Sequence, residues 1–278
     1  MEEKPLKVAF QGEMGAYSEV AVYKCFGAEV QPVPCKSFQE VFSRVDSGIV
    51  DYGVLPIENS IEGSVNQVYD LLLTHNLMIC GEVVVKVEHC LIGNPNSSLN
   101  QVKRVYSHPQ ALAQCSDFLE RLECEIIPTY DTAGSVQIVK ERGLMDEAAI
   151  ASERAAEIYG MKILARDISN YPDNYTRFVT ISKIDAPPSG NDKTSIIFSV
   201  AHAPGTLYNA LGIFAKRGIN LTKIESRPTR KKPWEYIFYV DFEGHRSEPK
   251  CAEALKELQA KALFLKILGS FPKAVVCE

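Results

Sequence analysis

Asp185-Ala186-Pro187-Pro188-Ser189-Gly190-Asn191-Asp192 decides how this chain is divided. Two prolines, a glycine and short polar side chains interrupt any helix or central strand, so residues 185–192 read as a linker between two units. Downstream of it the apolar pattern predicts strand 194–200, helix 206–216, strands 219–226 and 235–242, helix 248–260 and strand 263–271. That βαββαβ order is the ferredoxin-like pattern, and such a module can pair with a second copy of itself. Upstream, strands and helices alternate from Lys7 onward, which predicts an α/β unit with a mostly parallel sheet covered on both faces. Leu77 to Ile92 (LMICGEVVVKVEHCLI) is long for one strand and predicts a crossover from one α/β lobe into another.

Composition narrows the function classes. At 278 residues the chain is too long for one small core, and its 46% hydrophobic and 23% charged content is ordinary for a globular protein. A net charge of -5 argues against nucleic-acid binding, and the longest basic cluster, Arg230-Lys231-Lys232, reads as a solvated turn. No stretch has the length and apolarity of a membrane span or signal core, so a cytoplasmic protein that binds no membrane is expected. Eight cysteines show no CxxC pair and no histidine at metal-ligand spacing, so reduced thiols and no metal are expected.

Several stretches are rich in groups that can do chemistry. Asn174-Tyr175-Thr176-Arg177-Phe178 places an amide, a hydroxyl and a guanidinium within four consecutive positions at a strand start. In a strand Asn174 and Thr176 share one face and Tyr175 and Arg177 the other, so one ligand meets all four only at a strand end or bend. Read by themselves, the residues suit an exposed strand start better than a site. Gln11-Gly12-Glu13-Met14-Gly15-Ala16-Tyr17-Ser18 permits a tight strand-to-helix turn whose N–H groups face an anion, but it lacks the dinucleotide spacing. Glu58-Asn59-Ser60 to Ser64 follows a short buried strand, where open α/β sheets bind ligands, although Ser64 also suits a helix cap. Ser107-His108-Pro109-Gln110 opens a helix that carries Gln110 and Gln114 on one face.

Together with Asp131-Thr132-Ala133 and Glu225-Ser226-Arg227-Pro228, these motifs occur in an order that resembles the prephenate dehydratases with a C-terminal ACT regulatory domain. The resemblance covers residues 7 to 272. It implies a two-lobed catalytic domain of the periplasmic-binding-protein type over residues 1–184, with lobes about 7–83 plus 168–184 and 84–167, followed by an ACT domain over 193–278. It implies decarboxylating dehydration of prephenate to phenylpyruvate in phenylalanine biosynthesis, with no cofactor. Thr176 and Arg177 match the catalytic positions, Thr176 at the departing hydroxyl and Arg177 on a carboxylate. Glu58, Asn59, Ser60, Ser107, Gln114 and Thr132 match positions for substrate binding. Feedback by L-phenylalanine falls to Gly205, Thr206, Leu207, Asn220, Leu221, Glu225, Ser226, Arg227 and Pro228. The Gly205-Thr206-Leu207-Tyr208 run departs from the family's Gly-Ala-Leu-Val at two places, which bears on inhibitor affinity. The resemblance also implies a homodimer through the ACT domains, with a homotetramer as the family's common assembly. Arogenate is an alternative substrate, and a catalytically silent sensor of aromatic amino acids is an alternative of another class.

Overall fold

The computed structural model describes residues 5–229 and 235–274, so the basic cluster Arg230–Lys232 lies outside the described residues. The first lobe contains β1 (Lys7–Gln11), α1 (Tyr17–Phe26), β2 (Gln31–Cys35), α2 (Phe38–Asp46), β3 (Tyr52–Asn59), β4 (Gly63–Ser64), α3 (Asn66–Thr74) and β5 (Met78–Lys86). The second contains β6 (Cys90–Gly93), β7 (Arg104–Ser107), α4 (Pro109–Gln114), α5 (Ser116–Leu122), β8 (Glu125–Pro128), α6 (Thr132–Arg142), β9 (Glu147–Ala151), α7 (Glu153–Tyr159) and β10 (Lys162–Ala165). The chain then returns to the first lobe as β11 (Tyr175–Ser182). The sheets run β2-β1-β3-β11-β5, with β4 beside β3, and β10-β6-β9-β7-β8.

The crossover therefore runs from β5 in one sheet to β6 in the other, as the length of 77–92 predicts. The expectation of mostly parallel sheets is corrected. Only β2, β1 and β3 run parallel in the first sheet, and only β8, β7 and β9 in the second. The other pairings are antiparallel, because the strands next to the two lobe crossings enter their sheets in the opposite sense. The helix that Pro109 opens is also split in two at Cys115, whose backbone leaves helical geometry.

Local chemistry explains the elements. Ser37 caps α2 by accepting the Glu40 N–H, while Val41, Phe42 and Val45 form its buried stripe. Asp131 caps α6 through the Gly134 N–H, and Gly143 ends that helix in the left-handed conformation. Gly15, with φ of +94°, lets the turn before α1 lie against the second lobe. A Cβ there would come within 2.7 Å of the Ala155 backbone, and the Ser152 hydroxyl donates to the Gly15 carbonyl at 2.5 Å. Tyr130 makes a second bridge between the lobes, its hydroxyl donating to the Lys36 carbonyl.

After the linker come β12 (Asp192–Ser199), α8 (Thr206–Ala215), β13 (Leu221–Pro228), β14 (Tyr236–Glu243), α9 (Pro249–Lys261) and β15 (Phe264–Pro272), with sheet order β13-β14-β12-β15. One face of this sheet packs Ile196, Phe198, Val240 and Phe242 against α8 and α9. The other face buries Ile197, Ile237, Tyr239, Leu268 and Phe271 in one cluster with Phe42, Leu72, Ile79 and Ile181 of the first lobe. The C-terminal unit is thus docked through a shared apolar core. Gly269 sits at the contact, where any Cβ would collide with the Ile79 carbonyl oxygen. Among the described residues no helix is long and apolar enough to cross a membrane, and the described cysteines are all free thiols.

Candidate active site

Between the two lobes lies a cleft of about 610 Å³. Such a volume suits a small organic ligand, for which pockets of about 300–1,000 Å³ are usual. Its wall includes Asn59, Gln114, Thr132 and Thr176, all named from the sequence, together with Tyr17, Glu62, His89, His108 and Asp131. Residues at the starts of α1, α2, α3 and α6 also line it. Helix starts carry a partial positive charge that can meet an anion; among the described lining residues Lys36 is the only lysine or arginine, and Glu62 and Asp131 supply carboxyl groups.

Strand pairing sets the central group. Thr176 lies opposite Asn59 in the β11–β3 ladder, and Asn59 Nδ2 donates to Thr176 Oγ1 at 2.9 Å and to Asn174 Oδ1 at 2.7 Å. The orientation of the Asn59 amide is forced, because its Oδ1 accepts the backbone N–H groups of Ile61 and Glu62, each at 2.9 Å. Thr176 Oγ1 is therefore an acceptor from Asn59, which leaves its own hydrogen to be given to a ligand. The chain of bonds continues: Asn174 Nδ2 donates to Gln114 Oε1 at 3.0 Å, and Gln114 Nε2 reaches Glu62 Oε1 at 3.3 Å. His89 meets the same Gln114 oxygen at 3.0 Å and the Tyr17 hydroxyl at 3.1 Å. Burial holds the His89 ring below the ordinary histidine range, partly opposed by its bond to Gln114. Burial also pushes the Tyr17 phenol up, so both groups are neutral at pH 7.

Four site residues expected from the sequence lie elsewhere. Arg177 points to the opposite face of β11, where it binds Asp241 of β14 at 2.8 Å, Glu82 at 3.1 Å and Glu58 at 3.2 Å. Burial works against its charge, but Asp241 and Glu82 outweigh that and hold the guanidinium above its ordinary range. Its expected place on a substrate carboxylate is thus corrected, since alternation along the strand puts it back to back with Thr176. Glu58 follows the same rule beside Asn59 and pairs with Lys223 of β13 at 2.8 Å. Ser107 is fully buried with its hydroxyl committed to the Ile150 carbonyl at 2.7 Å. Ser60 binds backbone, accepting from the Tyr175 N–H and donating to the Asp173 carbonyl.

In the C-terminal unit, Gly205, Thr206 and Leu207 open α8, and Asn220 and Leu221 lead into β13. Glu225 and Arg227 face the catalytic unit: Ser64 donates to Glu225 at 2.8 Å, and Arg227 binds Asp70 at 3.1 Å. Ser226 and Pro228 alternate with them and are exposed. Sequence reasoning missed His89 and Glu62. His89 was legible only as a histidine within the lobe crossing, and Glu62 as one more acid in a polar loop.

A family profile described as prephenate dehydratase matches residues 8–186, and one described as ACT domain matches residues 194–260. A bifunctional chorismate mutase/prephenate dehydratase of Aquifex aeolicus is 46% identical over 99% of this chain and 76% of its own length. An arogenate dehydratase/prephenate dehydratase of Arabidopsis thaliana is 46% identical over 96% of this chain and 73% of its own. Among solved structures, prephenate dehydratase of Arthrobacter aurescens in complex with L-Phe has a TM-score of 0.88 and 33% identity, covering 98% of this chain and 93% of that one. A protein described as a quorum quenching acylase, GqqA, also has a TM-score of 0.88, with 37% identity over 96% of this chain and 97% of that one.

Proposed function

This chain belongs to the prephenate dehydratase family and carries an ACT domain, and from that membership we propose that it converts prephenate to phenylpyruvate under feedback control by L-phenylalanine. In this reaction the bond from the ring to its carboxylate breaks, its electron pair aromatises the ring, and the hydroxyl on the opposite ring carbon leaves with a proton. The observation that carries the reading is the forced orientation of Asn59, which makes Thr176 a donor toward the cleft. A threonine hydroxyl is far too weak an acid to transfer its proton freely, so it acts as an oriented donor at the departing oxygen. The Asn59 bond to Oγ1 polarises that donor. The two substrate carboxylates are met by helix starts and by Lys36, in place of the arginine expected from the sequence.

Arogenate is the second reading, favoured by one observation. Asp131 Oδ2 is buried beside the cleft with no hydrogen-bond partner, and burial raises this carboxyl above its ordinary range. An ammonium in place of the keto oxygen would supply that missing partner. Glu58, the carboxylate next to Asn59, points toward the ACT domain, where it pairs with Lys223.

Phenylalanine control is supported by the two-sided character of β13, an edge strand whose Lys223, Glu225 and Arg227 bind the catalytic unit. Its alternate residues, with Ile224 and the α8 residue Tyr208 exposed, suit a second copy of the chain. Dimerisation through the ACT domains follows, with phenylalanine held near Gly205–Leu207. The test assays prephenate and arogenate side by side, with and without phenylalanine. Phenylpyruvate from prephenate, suppressed by phenylalanine, is expected. Turnover of arogenate alone supports the second reading, and no turnover of either substrate supports a silent sensor.

A further inference from the structure

We propose that His89 is a positioning residue for this reaction, holding the Gln114 amide so that its NH₂ group, and not its oxygen, faces the cleft. The inference rests on the proposed reading of the cleft as the site of an anionic substrate. His89 occupies the first of the two crossings between the lobes, and these crossings are bonded to each other: Val87 N–H donates to the Asn174 carbonyl at 2.8 Å, and Ile168 N–H to the His89 carbonyl at 3.2 Å. From there the ring reaches both lobes, Tyr17 at the start of α1 and Gln114 at the end of α4.

The proton arrangement follows from the backbone outward. Ile61 and Glu62 N–H groups fix the Asn59 oxygen, so Asn59 Nδ2 meets the oxygen of Asn174. Asn174 Nδ2 is then the donor to Gln114, which identifies the atom it meets as Gln114 Oε1. His89 Nε2 faces that same oxygen and must carry the hydrogen. In the neutral ring this leaves Nδ1 as an acceptor beside the Tyr17 hydroxyl, which also reaches the Glu88 carbonyl at 2.7 Å.

Turning the Gln114 amide over would set its NH₂ against two donors and present a lone pair to an anionic substrate. With His89 and Asn174 both donating to Oε1, Gln114 Nε2 is held toward Glu62 and the cleft. His89 acts on the ligand only through Gln114.

The test compares His89→Leu, which removes the donor, with His89→Gln, whose amide can return one near the Nε2 position. His89→Leu is expected to lower kcat/KM by at least about tenfold and His89→Gln by no more than about threefold, each with the wild-type circular dichroism spectrum. In a Gln114→Ala background, His89→Leu should add less than about twofold, because its effect passes through Gln114. Additive losses, or equal damage from leucine and glutamine, would overturn the proposal. So would unchanged kinetics in His89→Leu. Nitrogen-15 NMR of the imidazole in wild-type protein gives a readout independent of turnover: a neutral ring protonated at Nε2 is expected, and protonation at Nδ1 overturns the assignment. If the wild type turns over neither substrate, the proposed reaction fails while the NMR result still decides the arrangement.

Discussion

A single amide sets the direction of the site's hydrogen bonds. Asn59 gives its oxygen to two backbone N–H groups, so its nitrogen faces Asn174 and Thr176 at 2.7 and 2.9 Å and the Tyr175 carbonyl at 3.2 Å. Asn59→Asp keeps the shape but sets a carboxylate oxygen where the donor was, and the Thr176 hydroxyl must then donate to that carboxylate and not to the substrate. Loss of one oriented donor costs on the order of a hundredfold in rate, so kcat should fall by about that factor with KM changed little. Steady-state kinetics checks this, and a wild-type kcat would remove Asn59 from the mechanism. None of this direction was legible from residue types, since Asn59 and Thr176 stand 117 positions apart. What the sequence did expose was the chemistry: an amide, a hydroxyl and a guanidinium together at a strand start.

Alternation along the strands decides which side chains reach the cleft. Two adjacent antiparallel strands each carry a consecutive pair, Glu58-Asn59 on β3 and Thr176-Arg177 on β11. Asn59 and Thr176 face the cleft while Glu58 and Arg177 face the ACT domain, and a register shift next to this point places Arg177 opposite Glu58 but Phe178 opposite Pro56. Period-two reasoning separates Thr176 from Arg177, and the resemblance to the family drew both toward the ligand. The strand geometry prevails. Removing one partner of a buried ion cluster strands the others, at about 3–5 kcal/mol. Arg177→Met takes from Glu82 and Asp241 the guanidinium they share and leaves Lys193 on Glu82, so a loss of about 3 kcal/mol is expected in urea unfolding. Phenylalanine inhibition should weaken in the same variant, because Arg177 joins β11 directly to β14. Unchanged stability and inhibition would separate this cluster from regulation.

Across the whole molecule, residues 185–192 read as a linker between two units, and that reading hid the docking. The signal for docking was present as Ile196-Ile197-Phe198, three consecutive apolar residues in a strand, which requires cover on both faces. Which surface supplied the second cover was not legible, because Ile79, Leu72 and Ile181 read as core of their own lobe. The consequence is functional. Through this docked face, Ser64 at the cleft wall is bonded to Glu225 of the ACT domain, and Thr176 is one residue from the Arg177 cluster. A ligand that shifts the ACT sheet therefore acts on the strands that carry the site. All of this requires that Thr176 perform chemistry in the cleft. The most direct measurement is prephenate turnover by Thr176→Val, which keeps the side-chain shape and removes the hydroxyl. At least about a hundredfold loss in kcat, with an unchanged melting temperature, is predicted; turnover at the wild-type rate in that variant would contradict the role given to Thr176.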